Sequence, residues 1–133
     1  MSKILLSIKP EYVEKILDGR KKFEFRKRIS KYEVETIIVY STSPAMKVLA
    51  EVKVEGVLAF SPTKLWKKTK MSAGISREKY REYFKGCKVA YAFKLGKVVV
   101  CSPPKTLQDY GVATPPQSFV YIIDTIELME MSK

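Results

Sequence analysis

Apolar residues in this chain recur mostly at every second position, which restricts it to folds built around a sheet. In KVLAEVKVEGVLAF (47–60), Val48, Ala50, Val52 and Val54 alternate with Leu49, Glu51, Lys53 and Glu55, predicting a long half-buried strand. Gly56 interrupts the pattern and marks a bulge or a barrel bend. CKVAYAFKLG (87–96) also alternates, with Val89, Tyr91, Phe93 and Leu95 on one face, and Gly96-Lys97 reads as a turn into VVVC (98–101). Further strands are predicted at ILLSI (4–8), TIIVYS (36–41) and FVYIIDTIEL (119–128).

Two segments carry a helical period instead. Pro10 suits a first helical position and Glu11 a first turn, so a helix is expected over 10–18, with Tyr12 and Ile16, and Val13 and Leu17, one turn apart. Gly19 is its expected stop, because a residue without Cβ accepts the left-handed cap conformation. Ser76 caps a second helix over 77–85, with Tyr80 and Phe84 on one face and Gly86 at its end. Ser61-Pro62-Thr63 opens a short helical or irregular element, and KKTKMSAG (67–74) reads as a mobile basic connection. Prolines bracket KTLQDYGVAT (105–114), read as a loop with one helical turn. Strands thus predominate and no βαβ alternation recurs, so the expected class is α+β, a small mixed β-barrel with flanking helices in a single domain over 1–133.

Charge narrows the partners. The 133 residues carry 25 Lys and Arg against 14 Asp and Glu, a net +11, which favours a polyanion whose phosphates relieve the self-repulsion. The excess is concentrated: residues 9–31 hold nine basic and four acidic side chains, and residues 64–88 hold nine and two. Trp66, Tyr80 and Tyr83 fall within the second block, where rings could stack bases. With no histidine, a Ser-His-Asp triad, a Cys-His pair and a His-ligated zinc are excluded. Cys87 and Cys101 are too few for a four-thiolate site and are expected as free thiols. No phosphate-loop or dinucleotide glycine pattern and no dense carboxylate cluster appears, so neither cofactor nor metal is expected. No apolar run approaches the length of a membrane span, and a soluble cytoplasmic protein is the expectation.

The sharpest local feature is the joint where helix becomes strand, GRKKFEFR (19–26). In KKFEFRKR (21–28), Phe23 and Phe25 alternate with Glu24, Arg26 and Arg28, so the rings should face the core and the charges water or a ligand. Glu24 and Arg26, two apart on a strand, read either as a plain surface ion pair or as a pair set in a cleft, where the acid holds a guanidinium or accepts from a base.

ILLSIKPEYVEKILDGRKKFEFRKR resembles the opening of the ASCH family, small domains similar to the PUA and EVE folds. The family pattern Gly-x-Lys-x-x-[Thr or Glu]-x-Arg is met by Gly19, Lys21, Glu24 and Arg26. TPPQSFVYI (114–122) is similar to the closing segment of a bacterial and archaeal subgroup. The resemblance implies a β-barrel with flanking helices, a cleft near the Gly-x-Lys motif, and engagement of RNA. Some small members resemble amidohydrolases acting on N4-acetylcytidine, in which the lysine and a threonine work with a later glutamate, and ribonuclease activity also occurs in the family. Here Lys21 matches that lysine, but Glu24 replaces the threonine. Residues 70–76 hold no acid, and the nearest, Glu78, lies in the predicted helix.

The resulting expectation is an RNA-binding domain, with DNA as the alternative nucleic acid, that takes a nucleotide or modified base in a basic cleft without turnover. Arg20, Lys22, Arg26 and Arg28 would neutralise phosphate, while Lys21, Glu24 and an aromatic such as Tyr110 would contact the nucleotide. Lys64, Lys67, Lys68, Lys70 and Arg77 form an outer ring of backbone contacts. The alternatives are a hydrolase of RNA or a modified nucleoside, with Lys21 as base or nucleophile and Glu24 positioning water, and a basic adaptor for another protein.

Overall fold

A computed structural model describes residues 2–122. Its backbone runs β1 (Lys3–Ile8), α1 (Pro10–Leu17), β2 (Phe23–Arg26), β3 (Thr36–Ser41), β4 (Lys47–Phe60), α2 (Pro62–Thr69), α3 (Arg77–Phe84), β5 (Ala90–Lys105) and β6 (Phe119–Ile122), with single helical turns at Lys70–Ser72 and Gln108–Tyr110. The strands form one sheet in the order β2-β5-β4-β3-β1-β6. β1 and β3 run parallel and every other neighbouring pair is antiparallel. The expected mixed barrel is present as a curled half-barrel with β2 and β6 at its edges and helices on its flank.

β1 explains its own uninterrupted apolar run. It lies between β3 and β6, and both of its faces are covered. Ile4, Leu6 and Ile8 join Val13 and Ile16 of α1, Ile37, Val39, Ala50, Val52 and Phe93 in the main core. Leu5 points the opposite way, with Ile38, Tyr40 and Val48, under a cover that includes Leu107 and Tyr110. α1 starts at Pro10 with Glu11 in its first turn and buries Val13 and Ile16, three apart on one stripe, while Leu17 is exposed. Burial of two such side chains contributes about 1.5–3 kcal/mol each. A third cluster joins α2 and α3 to the sheet through Leu65, Tyr80, Phe84, Phe25, Ala90 and Ala92.

β4 and β5 carry the curl. Their register shifts between Val52 and Val54 and again between Val54 and Gly56, as the interruption at Gly56 predicts. Gly96-Lys97 is not a turn, because β5 continues through it to Lys105. A Cβ at Gly96 would stand 2.7 Å from Glu55 Oε1, so the glycine leaves room for a cross-strand side chain. Val89 precedes β5 and is exposed, leaving Phe93 and Leu95 on the main core face. The basic stretch 67–74 is folded, not a free connection: α2 runs to Thr69, one turn follows, and Ala73 is buried. Of the predicted closing strand 119–128, Phe119–Ile122 is β6 and the remainder lies outside the described residues.

Candidate functional site

Gly19 ends α1 at φ +86, a conformation that favours glycine, and turns the chain toward β2. Arg20 stays outside, its Nε donating to Asp18 Oδ2 at 2.7 Å. Lys21 turns inward and is only 3% exposed. Its backbone N–H donates to Lys15 O at 3.0 Å. Its Nζ donates to Ala73 O at 2.8 Å and lies 5.2 Å from the ring centre of Tyr12 and 4.9 Å from that of Phe25.

Three consecutive carbonyls of the α2–α3 connection hold this joint. Ser72 O accepts from Lys22 N at 2.9 Å, Ala73 O from Lys21 Nζ, and Gly74 O from Lys15 Nζ at 3.3 Å. Burial holds the Lys21 pKa down at about 8 from 10.5; Glu24 opposes the shift, and Lys15 and Arg26 add to it. A substantial fraction of this amine is therefore neutral in mildly alkaline solution.

Glu24 is 7% exposed, so of the two expectations for the charged side of β2, water or a ligand, open water does not hold at this position. Arg26 Nη2 donates to Glu24 Oε2 at 2.8 Å and more weakly to Ser7 O at 3.4 Å. The two side chains are 18% and 9% exposed, which removes the plain surface-pair reading. Arg26 Nε is buried without a hydrogen-bond partner among the described residues. Together with Lys21 the pair lines a cleft of about 460 Å3, whose other walls are Ser7, Ile8, Lys9, Tyr12, Phe25, Ile75, Lys79, Glu82 and Tyr83. Burial raises the phenol pKa of both Tyr12 and Tyr83, so both remain hydrogen-bond donors. The cleft thus combines a buried amine, a carboxylate–guanidinium pair and three aromatic rings. It can receive a planar polar group against this aromatic wall and an anion beside the cations.

Only Lys21, Glu24 and Arg26 of the expected residues meet in this cleft. Arg20 and Arg28 are exposed and do not line it. Lys22 and Lys68 line a recess on the other side of the Lys21 stem. Lys64 and Lys68 lie over the Phe60 ring at 5.1 and 4.9 Å. Lys67, Lys70 and Arg77 line a separate groove between α2 and α3. Tyr110 is a correction: it sits across the sheet, its Oη donating to Glu51 Oε2 at 2.8 Å, in a pocket apart from Lys21. Glu78 does not line the cleft, whereas Glu82, one turn further along α3, does.

Sequence reasoning missed Tyr12, Lys79, Glu82 and Gly74, whereas Tyr83, read there as a ring that could stack a base, does line the cleft. The signal for two of them was present, since 79 and 82 fall with Tyr83 on one side of the predicted helix. Among the described residues no group of three or more Cys, Asp or Glu stands close enough to hold a metal ion. Among them, too, no helix is long and apolar enough to cross a membrane.

A family profile described as "ASCH domain" matches residues 6–99, from the second half of β1 through the Lys21 joint, α2 and α3 to most of β5. The chain belongs to the ASCH family. TPPQSFVYI (114–122) lies beyond the matched residues. A protein of Zymomonas mobilis named "ASCH domain-containing ribonuclease" is 33% identical over 92 residues, 68% of this chain and 62% of that one. The crystal structure of ASCH from Zymomonas mobilis superposes with a TM-score of 0.83 at 27% identity, covering 98% of this chain and 93% of that one. A Ureaplasma parvum protein named "ATP synthase subunit alpha" is 35% identical over 120 residues, 90% of this chain. The chain spans only 15% of that protein's length.

Proposed function

We propose that this ASCH domain binds single-stranded RNA and seats one nucleotide in the cleft of Lys21, Glu24 and Arg26. The observation that carries the reading is the pairing, in one concavity, of Tyr12, Phe25 and Tyr83 rings with a fixed carboxylate–guanidinium pair. Sequence-specific RNA recognition stacks splayed bases on aromatic rings and hydrogen-bonds their edges. Glu24 accepts from an exocyclic amine, while Arg26 and Lys21 supply donors for a carbonyl or phosphate oxygen. The net charge of +11 supplies the attraction for the rest of the strand. The test is fluorescence anisotropy of a labelled single-stranded RNA over a salt series. Affinity is expected to fall steeply with salt and to weaken in Lys21→Met; binding indifferent to both rejects the reading.

A second reading, cleavage of the bound RNA, is favoured by one further observation: burial brings the Lys21 amine to a pKa of about 8. A relative at 33% identity is named a ribonuclease. In this reading neutral Lys21 Nζ takes the proton of a 2′-hydroxyl. The 2′-oxygen attacks phosphorus, the P–O5′ bond breaks, and the 5′-oxygen leaves with a proton from solvent. The products are a 2′,3′-cyclic phosphate and a 5′-hydroxyl. Mass analysis of RNA ends after incubation tests it: cyclic phosphate should appear with the native chain, vanish with Lys21→Met, and never form from DNA. RNA retained intact rejects cleavage and leaves binding standing.

A further inference from the structure

α2 and α3 enclose a second concavity, of about 530 Å3, separate from the Lys21 cleft. Lys67 and Lys70 reach it from the α2 side, and Arg77, Arg81 and Lys85 from the α3 side. No carboxylate lines it, and none of these five cations forms an ion pair among the described residues. The helix geometry accounts for this segregation. Positions 77, 81 and 85 follow one another at intervals of four on one row, whereas Lys79, Glu82 and Tyr83 turn toward the cleft. α3 is thus a wall about 10–12 Å thick between the two concavities.

The groove also has an aromatic wall. Trp66 is half-buried, with its ring centre 4.8 Å from that of Tyr80, whose Oη donates to Pro62 O at 2.7 Å. Rings fixed in this way, beside a cluster of cations, combine a stacking platform with an electrostatic channel, the two elements with which proteins hold single strands. The connection from Lys70 in the groove reaches Ala73, the carbonyl partner of Lys21, within three residues.

We infer that the α2–α3 groove is a second RNA subsite, holding the backbone of the nucleotides that flank the one in the cleft and stacking a base on Trp66. The inference rests on the reading that the cleft takes a nucleotide. A strand crossing α3 would place phosphates among Arg77, Arg81 and Lys85, where they offset repulsion among the cations of a groove that no carboxylate of the described residues lines.

The test is anisotropy with a fluorescent dinucleotide and a fluorescent dodecamer of the same RNA sequence. It uses the native chain, the double variant Arg77→Gln/Arg81→Gln, Trp66→Ala and Lys21→Met, with circular dichroism to verify folding. The double variant should bind the dodecamer about tenfold more weakly and reduce the salt slope by about 1.4, since each phosphate contact on a single strand contributes about 0.7. Trp66→Ala should weaken the dodecamer about tenfold with an unchanged slope. Neither change should affect the dinucleotide, which Lys21→Met should weaken. Groove variants that bind the dodecamer as the native chain does, or that lose the dinucleotide equally, overturn the subsite. Poly-glutamate competing as well as RNA of equal charge overturns it in favour of an acidic polypeptide. Loss of the dodecamer in groove variants, with no dinucleotide binding by the native chain, instead overturns the cleft reading. A native chain that binds neither RNA overturns both.

Discussion

Gly74 stands against the methylene stem of Lys21: a Cβ at position 74 would lie 2.5 Å from Lys21 Cβ and 2.6 Å from its Cγ. The glycine also has φ +66, and its own carbonyl accepts from Lys15 Nζ. One position therefore fixes the passage through which the buried amine reaches the cleft.

Gly74→Ala should thus disturb both stability and the site. The left-handed backbone alone costs a non-glycine residue about 1–2 kcal/mol, and Lys21 is too buried to swing aside. Gly96→Ala is the informative contrast. There the new Cβ meets Glu55 Oε1 at 2.7 Å, but Glu55 is an exposed side chain, paired loosely with Lys94 at 3.8 Å, and free to rotate. Urea unfolding should show a loss of about 2 kcal/mol for Gly74→Ala and under about 0.5 kcal/mol for Gly96→Ala. Equal losses would show that Lys21 does not hold position 74.

Lys21 also predicts a pH dependence of stability. Its pKa falls from 10.5 to about 8 on folding, so between those values the unfolded chain binds more protons than the folded one. Stability contributed at this position therefore rises with pH through that window and is level below it. The rise should be about 1.5 kcal/mol between pH 8 and 9.5. Tyr80, raised to about 12 by burial, acts in the opposite direction only above the ordinary tyrosine range near 10. Urea midpoints measured between pH 7 and 9.5 should climb in the native chain and stay flatter in Lys21→Met. Parallel curves would contradict the burial of a titrating amine.

How much of this was legible in the sequence depended on whether a residue's partner was local. β4 and the bulge near Gly56, the Ser76 cap and the Gly19 stop were all readable, because period and cap chemistry act within a few residues. The burial of Glu24 was only half readable. Alternation leaves that position to water or a ligand without deciding between them, and the wall that α3 adds to the cleft comes from more than fifty residues away. The folding of 67–74 was also hidden, because the joint uses the carbonyls of Ser72, Ala73 and Gly74, which no residue type reveals. Gly96 signalled a turn by type but serves as a gap for Glu55 from the neighbouring strand.

Tyr110 illustrates the same limit and yields a prediction. Its partner Glu51 is 59 residues away, and Lys3 approaches the same carboxylate at 3.2 Å. The Tyr110 phenol pKa is raised, chiefly by burial and then by its bond to Glu51, so the bond persists through the neutral range. Tyr110→Phe should cost about 1 kcal/mol in urea unfolding and leave RNA affinity unchanged. A variant with native stability but weakened RNA binding would return Tyr110 to the site.

Glu24→Gln tests whether the cleft charges act as one unit. The substitution keeps an acceptor for Arg26 but leaves a largely buried guanidinium, whose Nε already lacks a partner among the described residues, without its counter-charge. It also removes the group that favours the charged form of Lys21, so the Lys21 pKa should move further below its ordinary value. Stability should fall by about 2 kcal/mol, less than for a fully enclosed pair because both side chains retain some solvent contact. In a Lys21→Met background the loss should be smaller, since one of the two cations that Glu24 favours is gone. Urea unfolding of the four chains, with the Lys21 titration followed by NMR on labelled lysine, measures both effects. Strict additivity with an unmoved Lys21 titration would mean that Glu24 serves Arg26 alone.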